Sequence, residues 1–323
     1  MDGREALRTH FTAKLDGVPR DILLQILKFR RGPGRLRRHA RRFHHDDGSA
    51  VTSAAPSTRP RNLITWTDLQ IRRLRSFVEE VGDATLLTGR TFRTMFTTRF
   101  DTTEFIYQLE LLGVRSLAIA AATAIFVGIV MTIQFAVSME AFGAKDTLGR
   151  VLAVSEAREL APSLTALVVG SRIAAGIAAE LGSMTVTEQV DAIRALGADP
   201  IRKLVVPRLV ACIVIMPLIT FVAFLLGMIS SMLVAALSYG IPMEFFASTA
   251  LDSLRINDFI SGVSKTPFFG FLIALLGCYF GLQTRGGTEG VGKSTTRAVV
   301  VVSISILMAD ALLTQIFVSF GTL

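Results

Sequence analysis

Cysteine is scarce in this chain of 323 residues, which has only two, Cys212 and Cys278. Both fall inside apolar runs, so neither a disulfide framework nor a thiolate metal site is indicated. The four histidines, His10, His39, His44 and His45, all lie in the N-terminal tail, which argues against a histidine-based metal centre. The first residues lack an apolar core region, so no secretory signal peptide is expected. Charge is missing over long stretches as well: from Ser116 to Val137 the sequence SLAIAAATAIFVGIVMTIQFAV contains none.

That run of about 22 residues is long enough to cross a hydrocarbon core of about 30 Å as a helix. The chain is 51% hydrophobic with a mean hydropathy of +0.52, values that suit a membrane protein when the apolar residues come in blocks. Further blocks run over 209–237, over 268–283 with an apolar approach, and over 298–320 with only Asp310 charged. A fifth, 151–179, is interrupted by Glu156, Arg158, Glu159 and Arg172. The reading is therefore an all-α integral membrane protein with about five spans.

Charge orients it. Arg194, Arg202 and Lys203 follow the second span and the N-terminal region is rich in Arg, whereas 138–149 holds only Lys145 as a cation and 238–262 only Arg255. The positive-inside bias then places the N-terminus in the cytoplasm and the C-terminus outside. The net charge of +8 reads as topology and attraction to anionic lipid, with no nucleic-acid partner expected.

One motif points elsewhere. Gly287 to Ser294 matches the P-loop pattern G-x-x-x-x-G-K-[ST], with Lys293 at its lysine, and ILMAD ending at Asp310 imitates an apolar strand with a magnesium-binding Asp. A P-loop needs a strand before it and a helix after it, yet both flanks here read as membrane spans. Asp310 follows Lys293 by about 17 residues within one helix, where a doubly wound sheet needs a whole crossover. The match is read as fortuitous, in a Gly-rich turn whose Arg285, Lys293 and Arg297 are positive-inside charges, and the chain as a non-enzyme with no cofactor of its own.

Residues 1–62 combine a basic run, RRGPGRLRRHARRFHH, with a Ser/Thr/Ala/Pro stretch, a composition that cannot bury a core. An organelle transit peptide is the alternative, against which Asp2, Glu5, Asp16, Asp21, Asp46 and Asp47 speak. From 63 to 112 the pattern becomes amphipathic: Leu74, Phe77, Val78, Val81, Phe92, Met95 and Phe96 recur at helical spacing against Arg72, Arg73, Arg75, Arg90 and Arg93. Such a segment suits helices lying in the cytoplasmic interface.

Between the second and third spans, ELGSMTVTEQVDAIRALGADP places Val186, Val190, Ile193 and Gly197 on one helical face and Glu188, Asp191 and Arg194 on another. Thr185 and Thr187 offer capping hydroxyls, and Gly197 with Pro200 ends the helix. A short amphipathic helix held between two spans is suited to a groove on a cytoplasmic partner; an ordinary structured loop is the bland alternative.

This segment, with the upstream ARELAPSLTALVVGSRIAAGIAAELGSM and the downstream EGVGKSTTRAVVVVSISILMAD, resembles the MlaE/YrbE family of ABC-transporter permeases over about residues 66–320, with the permease domain at 113–323. The resemblance implies a homodimer in a bacterial inner membrane, or alternatively a chloroplast inner envelope. It also implies that a separate cytoplasmic ATPase, which binds the ATP and Mg, docks on a coupling helix that carries Thr187, Glu188, Gln189, Asp191 and Arg194. An MCE-domain substrate-binding protein and a phospholipid-like substrate follow from the same resemblance, with a small STAS-like subunit as a further candidate partner. Residues 1–62 exceed the family pattern.

Ionisable groups at membrane depth cost about 2.5 to 3.5 kcal/mol each on insertion scales. Glu156, Arg158, Glu159, Lys265 and Asp310 are such groups. Arg158, Glu159, Lys265 and Asp310 are taken to line a lipid cavity; for Lys265 to partner Asp310 the fourth span must tilt or break nearby, and Pro267 offers a place for a break. Two other readings stay open: an ion-pair set that only fixes packing, and an ion-coupled secondary transporter using Glu159, Lys265 and Asp310 as a relay. Small residues in AAGIAAELG (174–182) and GFLIALLG (270–277) permit close helix approach within or between protomers.

Overall fold

The computed structural model describes residues 82–83, 85–94 and 102–319. The expectations for residues 1–62, and for Leu74, Phe77, Val78, Val81, Met95 and Phe96, lie outside the described residues. Among the described residues the secondary structure is helical throughout, with five helices long and apolar enough to cross a membrane. These are α1 (Thr102–Ala141), α2 (Lys145–Val186), α4 (Ile201–Tyr239), α6 (Ile256–Leu282) and α7 (Gly287–Ser319). Two short helices join them, α3 (Gln189–Ala195) at one end and α5 (Met243–Ser253) at the other.

Every helix outruns its apolar block. Hydropathy marks only the part that must shed water, whereas the backbone ladder continues into the interface wherever nothing stops it. Residues 102–112, grouped by sequence with the interfacial helices, are thus the opening turns of α1. Residues 85–94 form a separate helical segment whose Phe92 ring lies 5.7 Å from that of Phe271 on α6.

Close packing comes from small residues. On α1 the buried positions Ser116, Ala120, Ala124, Gly128, Thr132 and Ala136 repeat every fourth residue, a stripe turned toward α4. A side chain at Gly128 would strike the Gly227 carbonyl and Ser230 Oγ, and Ser231 Oγ donates to the Gly128 carbonyl at 3.2 Å. The two sequences chosen for close approach meet each other within one protomer: a Cβ on Gly277 would lie 3.3 Å from Ala174 Cα, and one on Gly281 3.3 Å from Ala178 Cα. Van der Waals contact of this kind drives association where lipid tails remove the hydrophobic incentive. The central helices α2 and α6 each bury 50% of their apolar windows, against 17% for α7, so α7 lies at the edge.

Prolines lie inside three of the long helices, Pro162 in α2, Pro217 in α4 and Pro267 in α6. Pro267 does not break α6. The hydroxyl of Thr266 donates to the Val263 carbonyl at 2.7 Å, the group that a residue 267 N–H would otherwise serve, and the helix runs on. In α2 the backbone widens to π-type turns over Glu156–Leu164, which contain Pro162. Such turns free backbone groups and mark functional segments more often than chance.

The Gly-rich stretch also differs from its reading as a turn. Only Gly286 (φ 93°) and Gly287 (φ 69°) have left-handed geometry, and α7 begins at once. Lys293 pairs with Glu289 one turn earlier at 2.7 Å, both side chains exposed. The P-loop pattern therefore lies on helical backbone whose N–H groups point along the axis. A phosphate cradle needs them converging from a loop.

Gly270 backs directly onto the Cys212 carbonyl. Gly270→Val should lower thermal stability in detergent by about 1–3 kcal/mol through overpacking, whereas Gly292→Val, with open space around it, should not. Equal melting temperatures for the two variants would contradict this packing.

Candidate functional site

Lys265 on α6 is the centre of the polar interior. Its side chain is 1% exposed, and its Nζ lies 2.9 Å from Glu159 Oε1 on α2 and 3.3 Å from Asp310 Oδ1 on α7. The ammonium also donates to Thr314 Oγ1 at 2.7 Å and to the Arg158 carbonyl at 3.3 Å. Lys265 thus ties the wide turn of α2 to α6 through both a backbone carbonyl and a carboxylate.

The second layer is equally specific. Thr314 Oγ1 donates onward to Glu159 Oε1 at 3.1 Å, and Ser163 Oγ donates to Asp310 Oδ2 at 2.7 Å. Arg158 turns away from Lys265 and grips Asp258 Oδ1 through Nη2 (2.6 Å) and Nε (3.0 Å). The other oxygen of Asp258 accepts the Arg255 backbone N–H at 3.0 Å, so Asp258 caps α6 while holding Arg158. Gly262 lets this contact close, because a Cβ there would collide with the Ala157 carbonyl.

Of the four charges singled out by sequence, Glu159, Lys265 and Asp310 are brought together from three helices, whereas the Arg158 guanidinium pairs with Asp258 and only its backbone carbonyl meets Lys265. Lys265 reaches Asp310 without a break at Pro267. Glu156, named with them, lies apart: it is 2% exposed, packed against Gly227, and its Oε2 has no hydrogen-bond partner among the described residues. Asp258, Ser163 and Thr314 were missed. A signal existed for the two hydroxyls, since Ser163 lies four residues after Glu159 and Thr314 four after Asp310, on the same helical faces.

Counted as ionised groups, Arg158 and Lys265 face Glu159, Asp258 and Asp310, which leaves one negative charge in excess. Arg158 and Glu159 are partly exposed while Lys265 is sealed, so the cluster has an open edge at the Glu159 side. Near the same end, α4 and α5 border an open apolar cavity of about 240 Å³ lined by Phe224, Met228, Met232, Phe246, Ala250 and Leu254. Its walls carry almost no polar surface. A chain of methylenes fits such a lining; an ion or sugar does not.

The coupling segment is placed differently from its pattern. Val190 is buried and Ile193 half-buried, as expected, but the hydroxyls of Thr185 and Thr187 donate back to the Leu181 and Ser183 carbonyls and do not cap α3. The turn is made by Glu188, the one non-glycine residue with positive φ (60°) among the described residues. Glu188, Gln189, Asp191 and Arg194 are exposed, Asp191 and Arg194 pair at 3.0 Å, and Leu196 is 85% exposed beside them.

Five helices of this length and apolarity, crossed internally by a buried charge cluster, suit a multi-pass membrane protein with a polar interior. The family model for the MlaE permease matches residues 105–316. A probable ABC transporter permease protein of Synechocystis is 40% identical over 227 residues, 70% of this chain and 86% of that protein. A probable ABC transporter permease protein of Rickettsia felis is 35% identical over 246 residues, 76% of this chain and 95% of its own length. The chloroplastic protein trigalactosyldiacylglycerol 1 of Arabidopsis thaliana is 41% identical over 212 residues, 66% of this chain and 61% of that one. The chain belongs to the MlaE permease family.

Removing the ammonium alone leaves two carboxylates facing each other in hydrocarbon. Lys265→Met should destabilise the detergent-solubilised protein by about 3–5 kcal/mol, while Asp310→Asn, which removes the excess charge, should cost at least about 2 kcal/mol less. Comparable unfolding midpoints for the two variants would show that the charge balance described above is wrong.

Proposed function

We propose that this chain is the membrane permease of an ABC transporter for phospholipid-like lipids, working as a homodimer between the membrane and an MCE-domain binding protein. A separate cytoplasmic ATPase drives it through α3, and a bacterial inner membrane is its proposed setting. The observation that carries the lipid reading is the pairing of a buried, open-edged charge cluster with an almost wholly apolar cavity at the same end of the bundle. A headgroup finds Arg158 and Glu159 at the edge of the cluster, and an acyl chain finds Phe224, Met228 and Phe246. Family membership supports the ATPase partner, and the exposed Glu188, Asp191, Arg194 and Leu196 give it a mixed polar and apolar surface to hold.

The helical setting of Gly287–Ser294 supports assigning ATP and Mg to that partner. Lys293→Ala should therefore leave ATP hydrolysis by the reconstituted complex unchanged. Turnover by the isolated chain, abolished by the same substitution, would reverse the assignment.

The decisive measurement is lipid transfer in proteoliposomes with and without the ATPase subunit. Transport should require the ATPase and fall in Asp310→Asn with the dimer intact, whereas transport driven by an ion gradient alone would favour a secondary transporter. Glu188→Lys or Asp191→Lys should weaken ATPase copurification at least about ten-fold by reversing charge at the contact. Unaltered copurification and transport in both would remove α3 from the docking surface.

A further inference from the structure

A second polar site lies at the opposite end of the bundle and does not depend on the function proposed above. Arg115 on α1 immediately precedes the uncharged run that starts at Ser116, and Arg172 on α2 donates through Nη1 to Ser116 Oγ at 2.7 Å, which fixes both guanidinium-bearing residues at one depth. Both are exposed, and among the described residues neither pairs with a carboxylate. They line one groove of about 300 Å³ together with Leu112, Ile173, Gly176 and Glu180. Glu180 contributes no net attraction for these arginines, because its Oε1 already accepts from Arg208 Nη2 at 2.7 Å. The groove therefore carries two uncompensated positive charges at the boundary of the hydrocarbon.

Such charges are costly at membrane depth unless an anion meets them, and the anion abundant at that depth is the phosphodiester of a phospholipid. This end carries α3, which the charge bias assigns to the cytoplasm. We propose that the groove between α1 and α2 is a binding site for the phosphate of a phospholipid of the cytoplasmic leaflet, held between Arg115 and Arg172. Guanidinium groups take phosphate oxygens in a bidentate fork, and two of them suit one phosphodiester. The headgroup substituent lies in the groove toward Glu180, and the acyl chains leave along the uncharged face of α1. Gly176 makes the room: a Cβ built there meets nothing within 4 Å.

That open glycine gives a test that spares the arginines. The full chain, delipidated in detergent, would be titrated with dioleoylphosphatidylglycerol, with diolein, which has the same chains and no phosphate, and with inorganic phosphate, following thermal stability and retained lipid. The phospholipid should bind, and the Arg115→Gln/Arg172→Gln double variant should weaken it at least about ten-fold, as loss of charge-assisted hydrogen bonds requires. Gly176→Leu, which fills the groove and keeps both charges, should do the same while melting at or above the wild-type temperature without lipid. Equal binding of diolein, or binding unchanged in both variants, overturns the site. Inorganic phosphate that stabilises the protein as well as the phospholipid does would make it a free-anion site and overturn the lipid assignment.

Discussion

The structure turns on the cost of leaving a polar group unpaired in hydrocarbon, several kcal/mol for a backbone amide and more for a charge. The wide turn around Pro162 brings the Arg158 carbonyl within reach of a side chain from another helix. Lys265, which no longer reaches water, supplies a donor, and in doing so needs anions of its own, Glu159 and Asp310. Those carboxylates in turn occupy Thr314 and Ser163. One wide turn in one helix is thereby held by side chains from three, and the three helices cannot shift independently without exposing a charge.

Small residues make this arrangement reachable. A lysine ammonium extends about 6 Å from its backbone, so α6 must come within contact distance of the wide turn in α2, and Gly262 permits it where any Cβ would meet the Ala157 carbonyl. The same logic runs down the α2–α6 seam through Gly277 and Gly281, and across the α1–α4 seam through Gly128 and Gly227. Tight seams and a specific charge cluster are two consequences of one requirement: without water or a strong apolar driving force, only contact and pairing hold the bundle together.

Much of this was legible in the sequence. Long apolar runs give the five spans, the second despite four interrupting charges, since length and apolarity are what a bilayer demands. The cluster members stood out because ionisable residues are rare in such runs. Three things were not legible. Helix ends were invisible to hydropathy, because α1 and α7 begin at Thr102 and Gly287 in polar sequence that helical hydrogen bonds alone sustain. At Pro267 a break was one of the two ways, beside a tilt, by which Lys265 could reach Asp310, and the preceding Thr266 hydroxyl keeps the helix continuous by taking the Val263 carbonyl. The capping assignment for Thr185 and Thr187 failed for a related reason, since a threonine hydroxyl that finds the carbonyl four residues back stays with the helix behind it.

The path from α3 to the cluster follows from the continuity of α2. A single helix runs from Lys145 to Val186, carries Arg158 and Glu159 in its wide turns, and ends at the strained Glu188 that introduces α3. Glu159 and Glu188 are separated by 29 residues in sequence, roughly 40 Å along a helix axis. Over that distance a packed helix moves nearly as a rod, so a force applied to α3 is felt at the turn around Pro162, where the hydrogen-bond ladder is already interrupted. That turn is also where Lys265 is held, by the Arg158 carbonyl and the Glu159 carboxylate together. An axial shift of α2 would lengthen or exchange the bonds to Lys265 together with the Arg172–Ser116 and Glu180–Arg208 bonds nearer α3. The wide turn is the point where the backbone of α2 meets the buried charge.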